Sequence, residues 1–290
     1  MIHASPGSRP AVDATWLDEL STRVRMHPGV NHLLLARLAT GPYTRTDYLN
    51  LGLQHYALVG FFARYLELLL VRAPGAREKR WLAEVLLGEY GASTGGHDPA
   101  AAYRRFLAAA GATGSAERRT GLCREVWDFV TEHARIVREE SFLFGLGALG
   151  PAHQWAIPRM FSHGLPGLRR AGFAEEEVAF FRRPVETRDS ETAIHALLLD
   201  LARTRAQQEQ VQAGTERSLE LRFELWTGIE RVMMSWRQPE SVRALRQGLH
   251  GPQQGGDLRR PGTLEDLRGV VGSETAAPEG PDRRVSVEVP

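Results

Sequence analysis

Apolar residues recur along this chain at steps of three and four. Tyr48, Leu51, His55, Leu58, Phe62, Tyr65 and Leu69 keep the spacing that turns one side of an α-helix toward a core. Thr44 stands ahead of them as an N-cap with Asp47 three residues on, an acidic variant of the capping box, and Pro74-Gly75 ends the run. The same period predicts helices over about 13–25, 29–39, 76–90, 116–148, 174–212 and 214–236. His27-Pro28 separates the first two, because proline disfavours a helical residue before it. Asp98-Pro99 reads as an N-cap and first helical position, opening a helix to about Ala110. Gly150-Pro151 reads as a break, followed by a helix to His163-Gly164. No segment alternates with period two beside a hairpin signal. The expected fold class is all-α, a bundle of about seven to eight helices.

The chain ends read differently. Residues 1–12 are rich in Pro, Ser and Gly and are expected to form a loose arm. Residues 241–290 hold few large apolar side chains and are expected to be a disordered tail, leaving 13–240 as the folded domain. Across all 290 residues the hydrophobic share is 42% and the charged share 24%, enough for a sizeable core. The net charge of +1 argues for no nucleic-acid or membrane partner. The longest apolar run, Tyr65–Val71, is broken by Glu67 and far short of a membrane span. No leader pattern opens the chain, and Cys123 has no second cysteine to pair with, so a cytoplasmic protein is expected.

Three segments hold candidate chemistry. In Glu89-Tyr-Gly-Ala-Ser-Thr-Gly-Gly-His97-Asp-Pro, a carboxylate closes one helix and an imidazole precedes the next cap, with glycines that let the chain turn back. Such a pair suits a metal or acid–base work, and equally a surface ion pair beside a loop histidine. In Ala152-His153-Gln154-Trp155, His153 and Gln154 follow the Gly-Pro break, where they suit a pocket or a wet turn. In 174–212, Asp189 lies on an otherwise apolar stripe with Thr192, and His195 lies at its edge. A carboxylate there needs a partner, either a site or a salt bridge to Arg188 or another arginine. His55 reads as a satisfied core histidine, and His133 has no supporting pattern.

The order of motifs resembles the haem-oxygenase-like superfamily, which includes thiaminase II, pyrroloquinoline-quinone synthase and non-haem diiron oxidases. The matching residues are His27-Pro28, Gly41 to Tyr48, Gln54-His55-Tyr56, Phe61-Phe62, Leu87-Gly-Glu89-Tyr-Gly, His97-Asp-Pro99, Ile157-Pro158, Phe180-Phe181, Asp189 and Leu221-Arg-Phe-Glu-Leu-Trp226. They span about residues 16–236. The resemblance implies an oxidoreductase acting on a small organic substrate with O₂, in a homodimer, with non-haem iron. Glu89, His97 and Asp189 match its ligand pattern. Its further glutamate position holds Gln154 with His153 beside it, and its flanking histidine positions hold Val185 and Thr192. The resemblance therefore implies a single metal on Glu89, His97 and Asp189 with His153 or His195, or else a metal-free enzyme or a non-catalytic binding relative.

Overall fold

A computed structural model describes residues 15–91, 98–186, 189–237 and 262–272, with backbone alone for 189–193. Every regular element among them is helical. The first helices are α1 (Thr15–Met26), α2 (Leu33–Thr40), α3 (Arg45–Leu70), α4 (Ala76–Glu89) and α5 (Pro99–Ala110). A short α6 (Ala116–Arg119) leads to α7 (Arg124–Glu139) and α8 (Phe142–Leu149), and a π-helical turn (Pro151–Trp155) leads to α9 (Ala156–Arg170). Then come α10 (Ala179–Glu186), α11 (Asp189–Leu201) and α12 (Arg205–Trp236), and finally α13 (Leu264–Val271). The fold is an all-α bundle. Helices α3, α7, α8 and α12 pack on one another around one core, in which Leu17, Phe61, Leu69, Phe106, Phe129, Leu146, Leu225 and Ile229 are essentially inaccessible.

The expected caps are present. Asp47 and Thr44 form a reciprocal capping box at α3, and Asp98 accepts from Ala100 N at 2.8 Å ahead of Pro99. Where long helices were expected, polar caps divide them. Ser141 takes the Phe144 amide at 3.2 Å and starts α8 within 116–148. Thr204 with Gln207 makes a second capping box inside 174–212 and starts α12. In turn α12 runs unbroken through Gly214. Gly147 and Gly214 allow α8 and α12 to touch, since a Cβ at Gly214 would run into the Phe144 carbonyl and one at Gly147 into that of Val211.

The break expected at Gly150-Pro151 is present: α8 ends at Leu149, Gly150 leaves the helical region (φ −83°, ψ −92°), and a π-helical turn precedes α9. Pro151 has no N–H for the Gly147 carbonyl, and the chain passes through one π-helical turn in which Gln154 N reaches Gly150 O at 2.7 Å. The Gly147 carbonyl accepts the Thr215 hydroxyl at 3.1 Å instead. The expectation of a wholly disordered 241–290 needs one correction. Residues 264–271 form α13, which buries Leu264, Leu267 and Val271 against the rest of the protein, and Arg138 donates to the Val270 and Val271 carbonyls at its end. A stripe of only a few apolar residues suffices when a prepared groove receives it.

The far end of α12 is pinned to the start of α3. Arg237 donates through Nε and Nη2 to the Asp47 carboxylate at 2.7 Å each, and its guanidinium lies 4.4 Å from the Tyr43 ring centroid. These bonds hold Asp47 below its ordinary 3.8, at about 2. A carboxyl depressed by folding stabilises above its unfolded value and loses that contribution as pH falls toward the folded one. Asp47→Asn is expected to cost about 1–2 kcal/mol near neutrality, after discounting for the exposure of Arg237. Urea unfolding should show that deficit shrinking as pH is lowered from 3.8 toward 2.

Candidate functional site

The polar centre of the bundle is built by α12. Its inward positions Val211, Thr215, Ser218, Arg222, Leu225, Trp226, Ile229 and Met233 form one stripe, and all are buried. Arg222 sits mid-stripe and is 1% exposed, the largest fully buried side chain described. It reaches the π-helical turn, where Nη2 lies 3.1 Å from His153 Nδ1 and 3.3 Å from Nε2. Near-equal distances put that nitrogen across the ring rather than along one lone pair, so the contact satisfies it poorly. The guanidinium carbon is 5.4 Å from the Phe129 centroid, on α7. Nε has no hydrogen-bond partner among the described residues.

Around this cation stand three buried imidazoles. His153 stacks on Phe62 of α3 at 4.5 Å and meets His133 edge-on at 6.1 Å. His133 lies 2.8 Å from both the Phe129 carbonyl and the Ser218 hydroxyl. A carbonyl only accepts, so Nδ1 carries the proton and Nε2 accepts from Ser218. His55 lies 3.1 Å from the Tyr103 hydroxyl and is sandwiched between the rings of Tyr103 and Trp226. Burial first, and then the Arg222 charge, pull His55 down to about 3, and burial with the same charge does so for His133. His153 is held well below the ordinary imidazole value for the same reasons. Arg222 itself is lowered by burial to about 10, so it stays charged at neutral pH.

Of the expected site residues whose side chains are described, Glu89, His153 and His195, only His153 belongs to this centre. The structure buries His153 and leaves its neighbour Gln154 half-buried. Glu89 is at the end of α4; burial, and then the charge of Asp98, lift its carboxyl to about 7. His195 is half-buried on α11, and no described contact joins it to Glu89 or His153. His97 and the Asp189 side chain lie outside the described residues. The residues not singled out from sequence are Arg222, His133 and Ser218. Each occupies the buried stripe of an amphipathic helix, and a polar residue at such a position was the available signal.

Fold and polar centre together define a helical protein of the haem-oxygenase-like class with a charged, histidine-rich interior. The family described as iron-containing redox enzymes matches residues 50–223, and this chain belongs to it. Among solved structures, a TenA homologue from Pseudomonas syringae pv. tomato superposes with a TM-score of 0.62 at 13% identity, covering 79% of this chain and 100% of its own. A domain of unknown function with a heme oxygenase-like fold from Shewanella denitrificans gives 0.57 at 12% identity, over 83% and 95%. A TenA family transcription regulator from Silicibacter sp. gives 0.58 at 14%, over 76% and 98%. These likenesses establish the fold. No curated protein matches the chain.

Iron, which the family description implies, can be tested against the side chains. Among the described residues no group of three or more His, Cys, Asp or Glu is placed to hold a metal ion. At the buried centre a fixed guanidinium lies against His153, and both nitrogens of His133 are committed. A cation and saturated donors oppose a second cation, so this donor set does not fit iron.

Imidazoles kept neutral by folding stabilise above their ordinary value of 6.5, and that contribution is lost as pH falls toward about 3, where the unfolded chain takes up protons that the native state refuses. Thermal melting should fall over that window, and His133→Gln should flatten the fall. Ser218→Ala leaves His133 Nε2 without a donor and is expected to cost about 1–3 kcal/mol in denaturant unfolding.

Proposed function

We propose that this protein is an enzyme acting on a small organic substrate inside the bundle, with Arg222 as the fixed positive charge and neutral imidazoles as its proton-accepting groups, without a metal at that centre. The observation that carries this reading is the guanidinium against His153, buried with no carboxylate beside it among the described residues. A neutral histidine with a free lone pair accepts a proton poorly while a cation lies against it. A substrate whose negative charge offsets Arg222 removes that opposition and turns His153 into a better base. Membership of a redox family favours oxidation of the substrate, with O₂ as the oxidant, over hydrolysis.

A second reading keeps the iron. Glu89, His97 and Asp189 would hold it, away from the Arg222 centre, and His195 would complete the set. What favours it is Glu89, a half-buried residue whose carboxyl is raised by partial desolvation and then by the nearby Asp98, which a metal cation would relieve. Elemental mass spectrometry separates the two. Wild type, Glu89→Ala and Arg222→Met are loaded anaerobically with ferrous iron or manganese and then desalted. The proposal expects substoichiometric metal in all three. Near-stoichiometric iron in wild type that is lost in Glu89→Ala would establish the iron-dependent oxidase instead.

A further inference from the structure

The turn between α1 and α2, which begins at His27-Pro28, has no part in the polar centre. Both of its histidines use a ring nitrogen as acceptor for the backbone two residues on. The Gly29 amide donates to His27 Nδ1 at 3.0 Å, and the Leu34 amide donates to His32 Nδ1 at 3.1 Å, capping α2. An N–H only donates, so Nδ1 carries a lone pair in both rings and both are neutral. Thr227 of α12 gives independent support at His32. Its hydroxyl donates to the Phe223 carbonyl at 3.0 Å, so it accepts from His32 Nε2, 3.2 Å away. The turn lies flat on α12, since a Cβ at Gly29 would run into the Leu219 carbonyl. Helix α1 packs on the π-helical turn that carries His153, and α2 packs on α9 and α12. The α1–α2 pair therefore covers the element that delivers His153 to the centre.

We propose that His27 and His32 form an acid-operated latch, whose neutral rings hold α1 and α2 against the π-helical turn and whose protonation releases them. A proton on Nδ1 sets an N–H against the Gly29 or Leu34 N–H, so the bond is lost and the ring must turn away. Burial comes first and pulls both rings below 6.5. Against it, carboxylates of α12 offer the charged ring a destination: Glu216 and Glu220 favour an imidazolium at His27, and Glu230 and Glu224 do so at His32. Arg37, paired with Glu230, opposes it at His32, and Arg159 of α9 is held on Asn31 in the same turn at 3.0 Å. Groups lowered by folding stabilise above their ordinary value and lose that contribution as pH falls, so the latch weakens on the acid side of 6.5. His55 and His133, at about 3, stay neutral through that range. The latch stands whichever chemistry the interior carries.

The test is NMR on the full chain. Near neutrality, long-range proton–nitrogen spectra should show both rings as the Nε2–H tautomer. From there to about pH 5.5, hydrogen exchange corrected for its intrinsic pH dependence should show the Gly29, Leu34 and Gln154 amides losing protection about 10-fold, the size of one lost cap, while the amides of α3 keep theirs. In the double variant His27→Asn with His32→Asn, the side-chain oxygens still accept the two amides but do not titrate, so the acid loss should disappear. Should that variant not fold, His32→Asn alone is expected to keep Leu34 protected at the lower pH. The inference is overturned if either ring carries its proton on Nδ1, if protection does not change with pH, or if the asparagine variants lose it as wild type does. Acid loss at Gly29 and Leu34 with Gln154 unmoved would mark two local caps without a latch, and overturns it as well.

Discussion

A guanidinium removed from water must be offset by something, and in this bundle the offset is incomplete. Arg222 meets an imidazole across its face, a phenyl ring and no carboxylate among the described residues. The surrounding architecture follows from accommodating that charge. His55, His133 and His153 have to stay neutral, since a second cation nearby would be repelled in a medium of low dielectric. His133 is fixed as one tautomer between a carbonyl and Ser218, and His153 is delivered by a π-helical turn that exists because Pro151 cannot continue the α-helical ladder. The Gly147 carbonyl left over by that proline is taken by Thr215, one turn before Ser218 on the same helix.

Helix α12 therefore does several jobs through one stripe. Gly214 and Thr215 set the close crossing with α8, Ser218 orients His133, Arg222 supplies charge, and Trp226 packs on His55. At its end Arg237 locks onto the capping box that opens α3, the helix contributing His55 and Phe62. The two helices that bracket the centre are held in register by an ion pair at the rim and by rings inside.

Much of the fold was legible in the sequence because periodicity and caps act locally. The α3 stripe, the Thr44–Asp47 box and the Asp98-Pro99 start all stand where the pattern placed them. The boundary misread near Gly214 is one where a local signal had a tertiary purpose, since that glycine serves a helix crossing, whereas the break at Gly150-Pro151 stands where the sequence placed it. The site was harder to read. Glu89 and His153 drew attention as residues beside glycines and breaks, but what gives His153 its character is Arg222, about seventy residues away in the chain. Sequence spacing carries no signal for such a meeting, and only the polar residue in an apolar stripe hinted at it. The α13 segment was missed because its few apolar residues acquire meaning only against the groove beside α6 and α7.

The most direct measurement is the stability of Arg222→Met relative to wild type, both free of ligand, by urea unfolding at neutral pH. Methionine keeps the length of the side chain and removes the charge. If the Arg222 charge is uncompensated in the free protein, the variant should be as stable as wild type or more so, as when buried charges give way to apolar side chains. A loss of about 3–5 kcal/mol, the signature of breaking a compensated buried pair, would show that Arg222 already has its partner and would contradict the account.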